Sequence, residues 1–356
     1  MLKSIFLTVL FPATYPLSLL YRFLFFLDRK LKEKKKLPDA FVISVGNLSV
    51  GGSGKTPFSI LLSEFLIAQG KTITLLSRGY KAGKSGQGAK VSPFDDPAEV
   101  GDEPLLIKKK VRDAEVIIGR NRYESYLQNS DLLKEKNHAV ILDDGFQHHR
   151  LERDLDFVLV DSELGIGNGF CIPAGFLREP ESALSRAHSV VFTKYEKGHT
   201  SEADRLEERW KVQFRHLRFF HLSYLPDRIC SLKGNTVPEN ILTGRKLVLF
   251  TGIARSESFF RTAGKIQDAV IYDTVSFRDH YSFRKDDIDA LSKKFGNDSV
   301  FLCTEKDAVK LSYFKDAISG LAVYYLSLKT EITEKNEFEE FVMNRISESS
   351  VKSRMQ

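Results

Sequence analysis

The sequence predicts an α/β fold of the P-loop NTPase type. A mostly parallel sheet carries helices on both faces, beside a smaller C-terminal α/β domain and an N-terminal membrane-associated helix. Three observations predict it. Strand-like and helix-like stretches alternate from Phe41 onward, the pattern of a parallel sheet with crossover helices. A glycine cluster ending in Gly54-Lys55-Thr56 stands between a strand pattern and a helix pattern. The segment 4–27, SIFLTVLFPATYPLSLLYRFLFFL, is almost wholly apolar.

The N-terminal segment comes first. Its length reaches the roughly 20 residues that span a bilayer. Pro12, Pro16 and Arg22 argue against a straight span, so an aromatic-rich helix lying in the interface is the main alternative. A buried core helix is the plainer reading. The basic run DRKLKEKKK (28–36) follows and would stay on the cytoplasmic side. No convincing signal-peptide cleavage site is present.

Next, FVISV (41–45) reads as a buried strand. The stretch 56–69 reads as a helix with Phe58, Leu61, Leu62, Phe65 and Leu66 on one side, Pro57 in its first turn and Gly70 as its stop. Further strands are expected at 72–77, 115–119, 138–144, 156–161 and 188–196, and helices over EPLLIKKKV (103–111) and 120–128. KAGKSGQGAK (81–90) is a basic, glycine-rich loop. SEADRLEERWKVQF reads as a polar helix, and 217–245 as short strands and turns. A second β–α series occupies 246–254, 269–275, 299–307 and 322–328. The expected organisation is a membrane-associated helix with its basic flank (1–36), a P-loop core (37–216), a connector (217–245), a smaller α/β domain (246–346) and a frayed tail (347–356).

Composition limits the function classes. The chain has 356 residues, 42% hydrophobic and 28% charged, with a net charge of +6. That balance suits anionic phosphates or an anionic membrane surface. It is too weak to argue for nucleic acid, and no Cys/His finger or RNP-like motif is present. Cys171, Cys230 and Cys303 are far apart, which suits a reducing compartment and argues against a disulfide framework or zinc site.

The glycine cluster carries the chemistry. A P-loop needs G-x-x-x-x-G-K-[ST] between strand and helix, so that backbone N–H groups wrap phosphate oxygens. The first glycine position falls on Ser49, and Gly51 and Gly52 supply backbone freedom inside the loop. Ser49, Gly51, Gly52, Ser53, Gly54, Lys55 and Thr56 form the nucleotide candidates. Lys55 would neutralise the β- and γ-phosphates and Thr56 would ligate Mg²⁺. AVILDDGFQHHR places Asp143 and Asp144 at the end of an apolar strand, where paired carboxylates call for a cation. A turn is the plainer reading of Asp-Asp-Gly. VVFTKYE looks like a guanine-reading strand, but Glu196 stands where Asp is required, so adenine is expected.

At DDGFQHHRLERDLDFVLVD the sequence resembles the tetraacyldisaccharide 4'-kinase family. VGNLSVGGSGKTP, LSRGY (76–80), GDEP (101–104), PAGFLREP (173–180), FRDHYSF (277–283) and TEKDAVK (304–310) match as well, in the family's order. Ser49 is normal for this family, whereas Tyr281 stands where a second histidine is frequent. The resemblance implies a kinase that moves the γ-phosphoryl of ATP, with Mg²⁺, to the 4'-hydroxyl of a lipid disaccharide 1-phosphate. It implies a bacterial enzyme at the cytoplasmic face of the inner membrane, with no obligate protein partner. It implies Asp102 as base, paired with His280, and Lys55 as the cation on the transferring group. Thr56, Asp144 and Glu179 are the Mg²⁺ candidates, with Asp143 and Glu103 behind them. Arg78, Arg122, Gln147, His148 and Arg178 are the substrate candidates; solvated or capping roles are the plainer reading for Arg122, Gln147 and His148. A membrane-tethered nucleotide switch and a soluble small-molecule kinase are the competing readings.

Overall fold

In the computed structural model of the chain, residues 2–355 are described, apart from 81, 130–136, 197, 199–200, 268, 297 and 319. Met1, Lys81 and Gln356, which end segments marked out in the sequence, lie outside the described residues.

A long helix, α1 (Leu2–Leu31), precedes strand β1 (Ala40–Asn47). The glycine loop leads into α2 (Lys55–Ala68), whose Phe58, Leu62 and Leu66 recur at four-residue spacing and are fully buried. Gly70, at φ 74°, ends it in the left-handed conformation that glycine adopts without strain. Then come β2 (Thr72–Ser77), β3 (Ala89–Lys90), α3 (Pro97–Val100), α4 (Asp102–Lys110), β4 (Glu115–Ile118) and α5 (Arg122–Gln128). Strands β5 (His138–Asp143) and β6 (Leu155–Asp161) are buried along their whole length, as expected for inner strands of a parallel sheet covered on both faces. Strand β7 (Ser189–Thr193) and α6 (Glu202–Gln213) follow.

The region 217–245 corrects one expectation. Instead of short strands, β8 (Arg218–Ser231) runs for 14 residues, with only β9 (Thr236–Val237) as a short partner. Beyond it lie β10 (Leu247–Thr251), α7 (Ser256–Ala263), β11 (Ile271–Ser276), α8 (Lys285–Phe295), β12 (Val300–Thr304), α9 (Glu305–Leu311), β13 (Val323–Ile332) and α10 (Lys335–Met355). The tail expected to fray from Ser347 continues α10, and the Ser349 hydroxyl donates to Asp154 at 3.1 Å.

Among the described residues the strands form one sheet in the order β11-β10-β12-β13-β8-β7-β6-β1-β5-β2-β4-β3, with β9 beside β8. Pairing is parallel except at β13·β8, β8·β9 and β3·β4. The long antiparallel β8·β13 pair therefore joins the two β–α series into one sheet. Helix α10 packs back on the first series. Its Phe338 ring meets Phe58 at 5.9 Å and Phe220 at 5.2 Å, while Val342 and Ile346 extend the same face at four-residue spacing.

Helix α1 lies against the body. The Ser18 hydroxyl donates to the Cys171 carbonyl at 2.9 Å, the Tyr21 hydroxyl to the Arg178 carbonyl at 2.9 Å, and Phe25 packs edge-on against His149. Its other face leaves Leu20, Phe23 and Leu24 more than half exposed. Among the described residues no helix is long and apolar enough to cross a membrane.

Candidate active site

The loop between β1 and α2 stands at the C-terminal end of the parallel strands, where open α/β sheets bind ligands. Two neighbouring segments hold it. On one side Val50 N–H donates to the Phe176 carbonyl at 2.8 Å and Arg178 N–H to the Leu48 carbonyl at 2.6 Å, with Ser49 bridged to Leu177. On the other, the Thr193 hydroxyl donates to the Ser53 carbonyl at 3.1 Å and Lys194 reaches the Gly52 carbonyl at 3.3 Å. The Thr-Lys pair of VVFTKYE thus braces the glycine loop, a role that sequence reasoning missed. Glu196, two residues on, pairs with Lys265 at 2.7 Å.

Gly54 is at φ 76°, and a Cβ there would lie 1.9 Å from the Tyr224 hydroxyl. Glycine is required on both counts. Gly51, at φ 116°, and Gly52 face open space.

At the first residue of α2, Lys55 points its ammonium at Asp144, 3.4 Å away. Arg178 grips both oxygens of Asp144 at 2.8 and 2.9 Å. Burial alone would raise the Asp144 carboxyl, but Lys55 and Arg178 outweigh it and hold the group down at about 2. Asp143, one residue earlier, is buried; burial and then the Glu103 charge push it up to about 6. One of its oxygens accepts from Ser77 at 3.2 Å, and the other is buried with no partner.

A bound Mg²⁺ in kinase sites takes one or two carboxylates and completes its shell with phosphate oxygens and water. Asp143 and Asp144 fit that need, the orphaned Asp143 oxygen above all. Among the described residues no group of three or more His, Cys, Asp or Glu side chains is disposed to hold a metal. Glu179 is already engaged: Oε1 accepts from Arg186 at 2.6 Å and from Gln147 at 3.0 Å, and the side chain is almost fully buried.

Four substrate candidates prove to be tied into this frame. Arg122 is buried and donates to the Asp143 carbonyl at 2.9 Å and toward His148 Nδ1 at 3.2 Å. Burial, then the Arg122 charge, pushes His148 down to about 3 and keeps it neutral. Gln147 donates to the Asn47 carbonyl at 2.9 Å. Arg178 serves Asp144, and Arg78 stands exposed at the end of β2. All five line one cavity with the glycine loop.

Across that cavity, Asp102 opens α4 and His280 follows β11. His280 Nδ1 lies 3.2 Å from Asp102 Oδ2, joining residues 178 positions apart. Lys306, on the first turn of α9, stands 2.8 Å from Glu103, 3.8 Å from Asp102 and 3.5 Å from His280 Nε2. Burial would raise the Asp102 carboxyl, but the His280 hydrogen bond and the Lys306 and Lys310 charges prevail and hold it well below the usual range. The motif TEKDAVK was legible; the placement of Lys306 within it was not.

The His280 loop is anchored from behind. Asp307 is fully buried and accepts from Thr251 at 2.5 Å, Thr304 at 2.7 Å and Gly252 N–H at 3.2 Å. The Gly252 carbonyl in turn accepts from His280 N–H at 3.1 Å.

One cavity of about 1440 Å³ takes in the glycine loop, Asp102, His280 and, through Tyr21, Phe25 and Lys32, the flank of α1. A buried, ionised carboxylate facing a lysine-bearing glycine loop fits phosphoryl transfer to a hydroxyl.

Comparison with known proteins agrees. A family model described as LpxK, tetraacyldisaccharide-1-P 4'-kinase, matches residues 10–347. The tetraacyldisaccharide 4'-kinase of Leptospira biflexa is 36% identical over 365 residues, covering 96% of this chain and 97% of its own. That of Syntrophobacter fumaroxidans is 36% identical over 318 residues, covering 83% and 78%. A crystal structure of the "apo" form of LpxK from Aquifex aeolicus in complex with ATP superposes with a TM-score of 0.71 at 28% identity, over 96% of this chain and 99% of that one. This chain belongs to the tetraacyldisaccharide 4'-kinase family.

Proposed function

We infer that the chain is an ATP-dependent kinase of lipid A biosynthesis that phosphorylates the 4'-hydroxyl of a tetraacyldisaccharide 1-phosphate. The observation that carries the site assignment is the Asp102–His280 pair facing the Lys55 loop across one cavity. A sugar hydroxyl is a weak nucleophile, and a positioned carboxylate takes its proton as the O–P bond forms. Asp102 is ionised and ready for that step. Lys55 leaves Asp144 for the β- and γ-phosphates, where its charge offsets what develops on the transferring group. The glycine loop's N–H groups and the N-terminus of α2 receive the phosphates. Asp143, Asp144 and the Thr56 hydroxyl would hold Mg²⁺, which would supply positive charge against the phosphates. Arg178 keeps Asp144 ionised and aimed.

A membrane-held α1 fits a substrate whose acyl chains stay in a bilayer. The exposed face of Leu20, Phe23 and Leu24 would lie in the interface of the cytoplasmic leaflet of the bacterial inner membrane, with Arg29, Lys30 and Lys32 meeting anionic headgroups. Tyr21 and Phe25 of this helix line the cavity, so the sugar would reach Asp102 while the chains remain in lipid.

Transfer of label from γ-labelled ATP to the purified disaccharide in mixed micelles tests the catalytic assignment. Asp102→Ala should lower kcat by about 10²–10⁴-fold; unchanged transfer removes Asp102 from its role. Free phosphate released without labelled lipid would revive the nucleotide-switch reading. For α1, flotation with vesicles containing anionic lipid should be lost in Leu20→Asp/Phe23→Asp, and retention by that variant would refute the membrane role.

A further inference from the structure

The segment 164–177, LGIGNGFCIPAGFL, holds no charged residue. It lies between the end of β6 and Arg178, and no step of the phosphoryl transfer calls on its side chains. Phe170 is nonetheless 38% exposed, Phe176 40% and Leu164 55%. Single exposed apolar residues mean little, but a contiguous patch marks an interaction site. Here the patch is continuous with α1. The Phe170 ring meets Phe11 at 4.9 Å and Tyr15 at 5.7 Å. Leu19, one turn on from Tyr15, is 44% exposed, and the open face of Leu20, Phe23 and Leu24 follows.

The segment is built to leave water at small cost. Its backbone is paired within itself: Leu177 N–H donates to the Phe170 carbonyl at 3.0 Å, and Ile172 N–H to the Leu177 carbonyl at 2.9 Å. The Asn168 amide donates to the Ala174 carbonyl at 2.8 Å. Polar groups already paired lose little on desolvation. The carboxylates at its two ends are offset, Glu163 by Arg255 and Arg261 and Glu179 by Arg186, so they do not repel an anionic surface. Arg22 of α1 stands beside it; burial pushes the Cys171 thiol up against the pull of the Arg22 charge. An arginine at the rim of an apolar face reaches headgroup phosphates while its stem stays in the apolar layer. Phe and Leu beside basic residues are what a bilayer interface takes up.

We propose that the 164–177 segment is a second membrane contact, whose Phe170 and Phe176 rings enter the same bilayer interface as α1 and fix how the kinase is rolled about that helix. This rests on the reading of α1 as membrane-held. A helix lying in an interface defines a line, and the body can still turn about it. A contact off that line stops the turning. The segment also holds the glycine loop, through Val50 N–H on the Phe176 carbonyl at 2.8 Å and Arg178 N–H on the Leu48 carbonyl at 2.6 Å. The phosphate end of the cavity is thereby kept at one height over the headgroups.

The test is tryptophan quenching in vesicles of phosphatidylcholine and phosphatidylglycerol with brominated chains, free of ATP and disaccharide. The chain's single native tryptophan, Trp210, is fully buried and serves as the blank. Phe170→Trp on the segment and Leu20→Trp on α1 should both shift to the blue and lose emission to bromine. Quenching of Leu20→Trp without Phe170→Trp overturns this proposal and leaves α1 in the membrane. Quenching of neither removes both contacts. Quenching of Phe170→Trp alone keeps the segment's contact and sinks the reading of α1. Phe170→Ser should weaken partitioning into the same vesicles about tenfold, with ATP affinity unchanged; undiminished partitioning overturns the proposal. A lipid-free dimer in sedimentation equilibrium that Phe170→Ser dissociates would also overturn it, assigning the patch to a second copy of the chain.

Discussion

The glycine loop and the Asp102–His280 pair face each other across one cavity but are built by different means. The loop joins two elements with apolar cores, β1 and α2, and its backbone is tied to the 176–178 segment and to Thr193 at the end of β7. The pair is drawn from α4 and from the loop after β11; beyond the Gly252 backbone bond to His280, the contacts that hold it are charged ones from Lys306 and the Lys110–Glu305 bridge. On the loop's other flank the contacts between the two series are ionic as well, from Arg255 to Asp161 and Glu163 and from Arg261 to Glu163. The glycine loop is thus held by backbone bonds from the parts of the chain beside it. The Asp102–His280 pair depends on side chains brought from α9 as well.

Substitutions can break this contrast or sharpen it. The largest effect is expected at the loop. Gly54→Ala places a methyl into the Tyr224 hydroxyl and forces alanine to φ 76°, and should cost about 3 kcal/mol or more in stability together with ATP binding. Adding Tyr224→Phe removes the colliding oxygen and should return all but the 1–2 kcal/mol or so of backbone strain. Paired denaturant melts with and without ATP would show it; an equally damaged double variant would mean the clash is not the cause.

Next comes Asp307→Asn, on the Asp102–His280 side. It leaves Lys310, 3.0 Å away, without its partner and slackens the Gly252–His280 link. Stability should drop by about 2 kcal/mol, and kcat should fall while KM for ATP holds. A fall in ATP affinity instead would show that the two ends of the site are not independent.

The smallest effect concerns the buried ionic joint of the core. His221 on β8 bonds Glu207 and Glu334 at 2.9 Å each. Burial would lower this imidazole, but the two carboxylates outweigh it and push it up to about 9. A raised group contributes its full stability below the unfolded value near 6.5 and loses it as pH climbs through 9. His221→Gln should therefore lower Tm at pH 6–7 and converge with the wild type above about pH 10. A constant gap across that range would assign the effect to packing.

Much of the first region was legible in the sequence. Strand spacing, the Gly54-Lys55-Thr56 step and the acidic end of β5 are local, and local pattern reports them. The meeting of Asp102 with His280 was legible only through family resemblance, because nothing in the spacing of Asp102, His280 and Lys306 says that they meet. The long β8 was missed because Pro226, Gly234 and Pro238 look like a turn region, whereas pairing with β13 overrides that preference. The fraying expected of a polar tail was likewise overridden: Phe338, Val342 and Ile346 seat α10 on the core. The sequence makes Glu179 a Mg²⁺ candidate, but its engagement by Arg186 and Gln147 is a tertiary fact that no local pattern reports.

The β8·β13 ladder slips register between Ser327 and Leu328, opposite Pro226 to Arg228. A bulge of this kind interrupts the rungs and concentrates twist. Mechanically, the two series are joined by a ribbon that resists stretching and sliding but yields most readily in torsion at one place. Ser327 itself accepts a hydrogen bond from Lys110 and donates one to Glu305. The irregular point of the ribbon is therefore wired through Lys110 and Glu305 to α4 and α9, the helices that carry Asp102 and Lys306, so a small rotation there would change the spacing between Asp102 and the glycine loop.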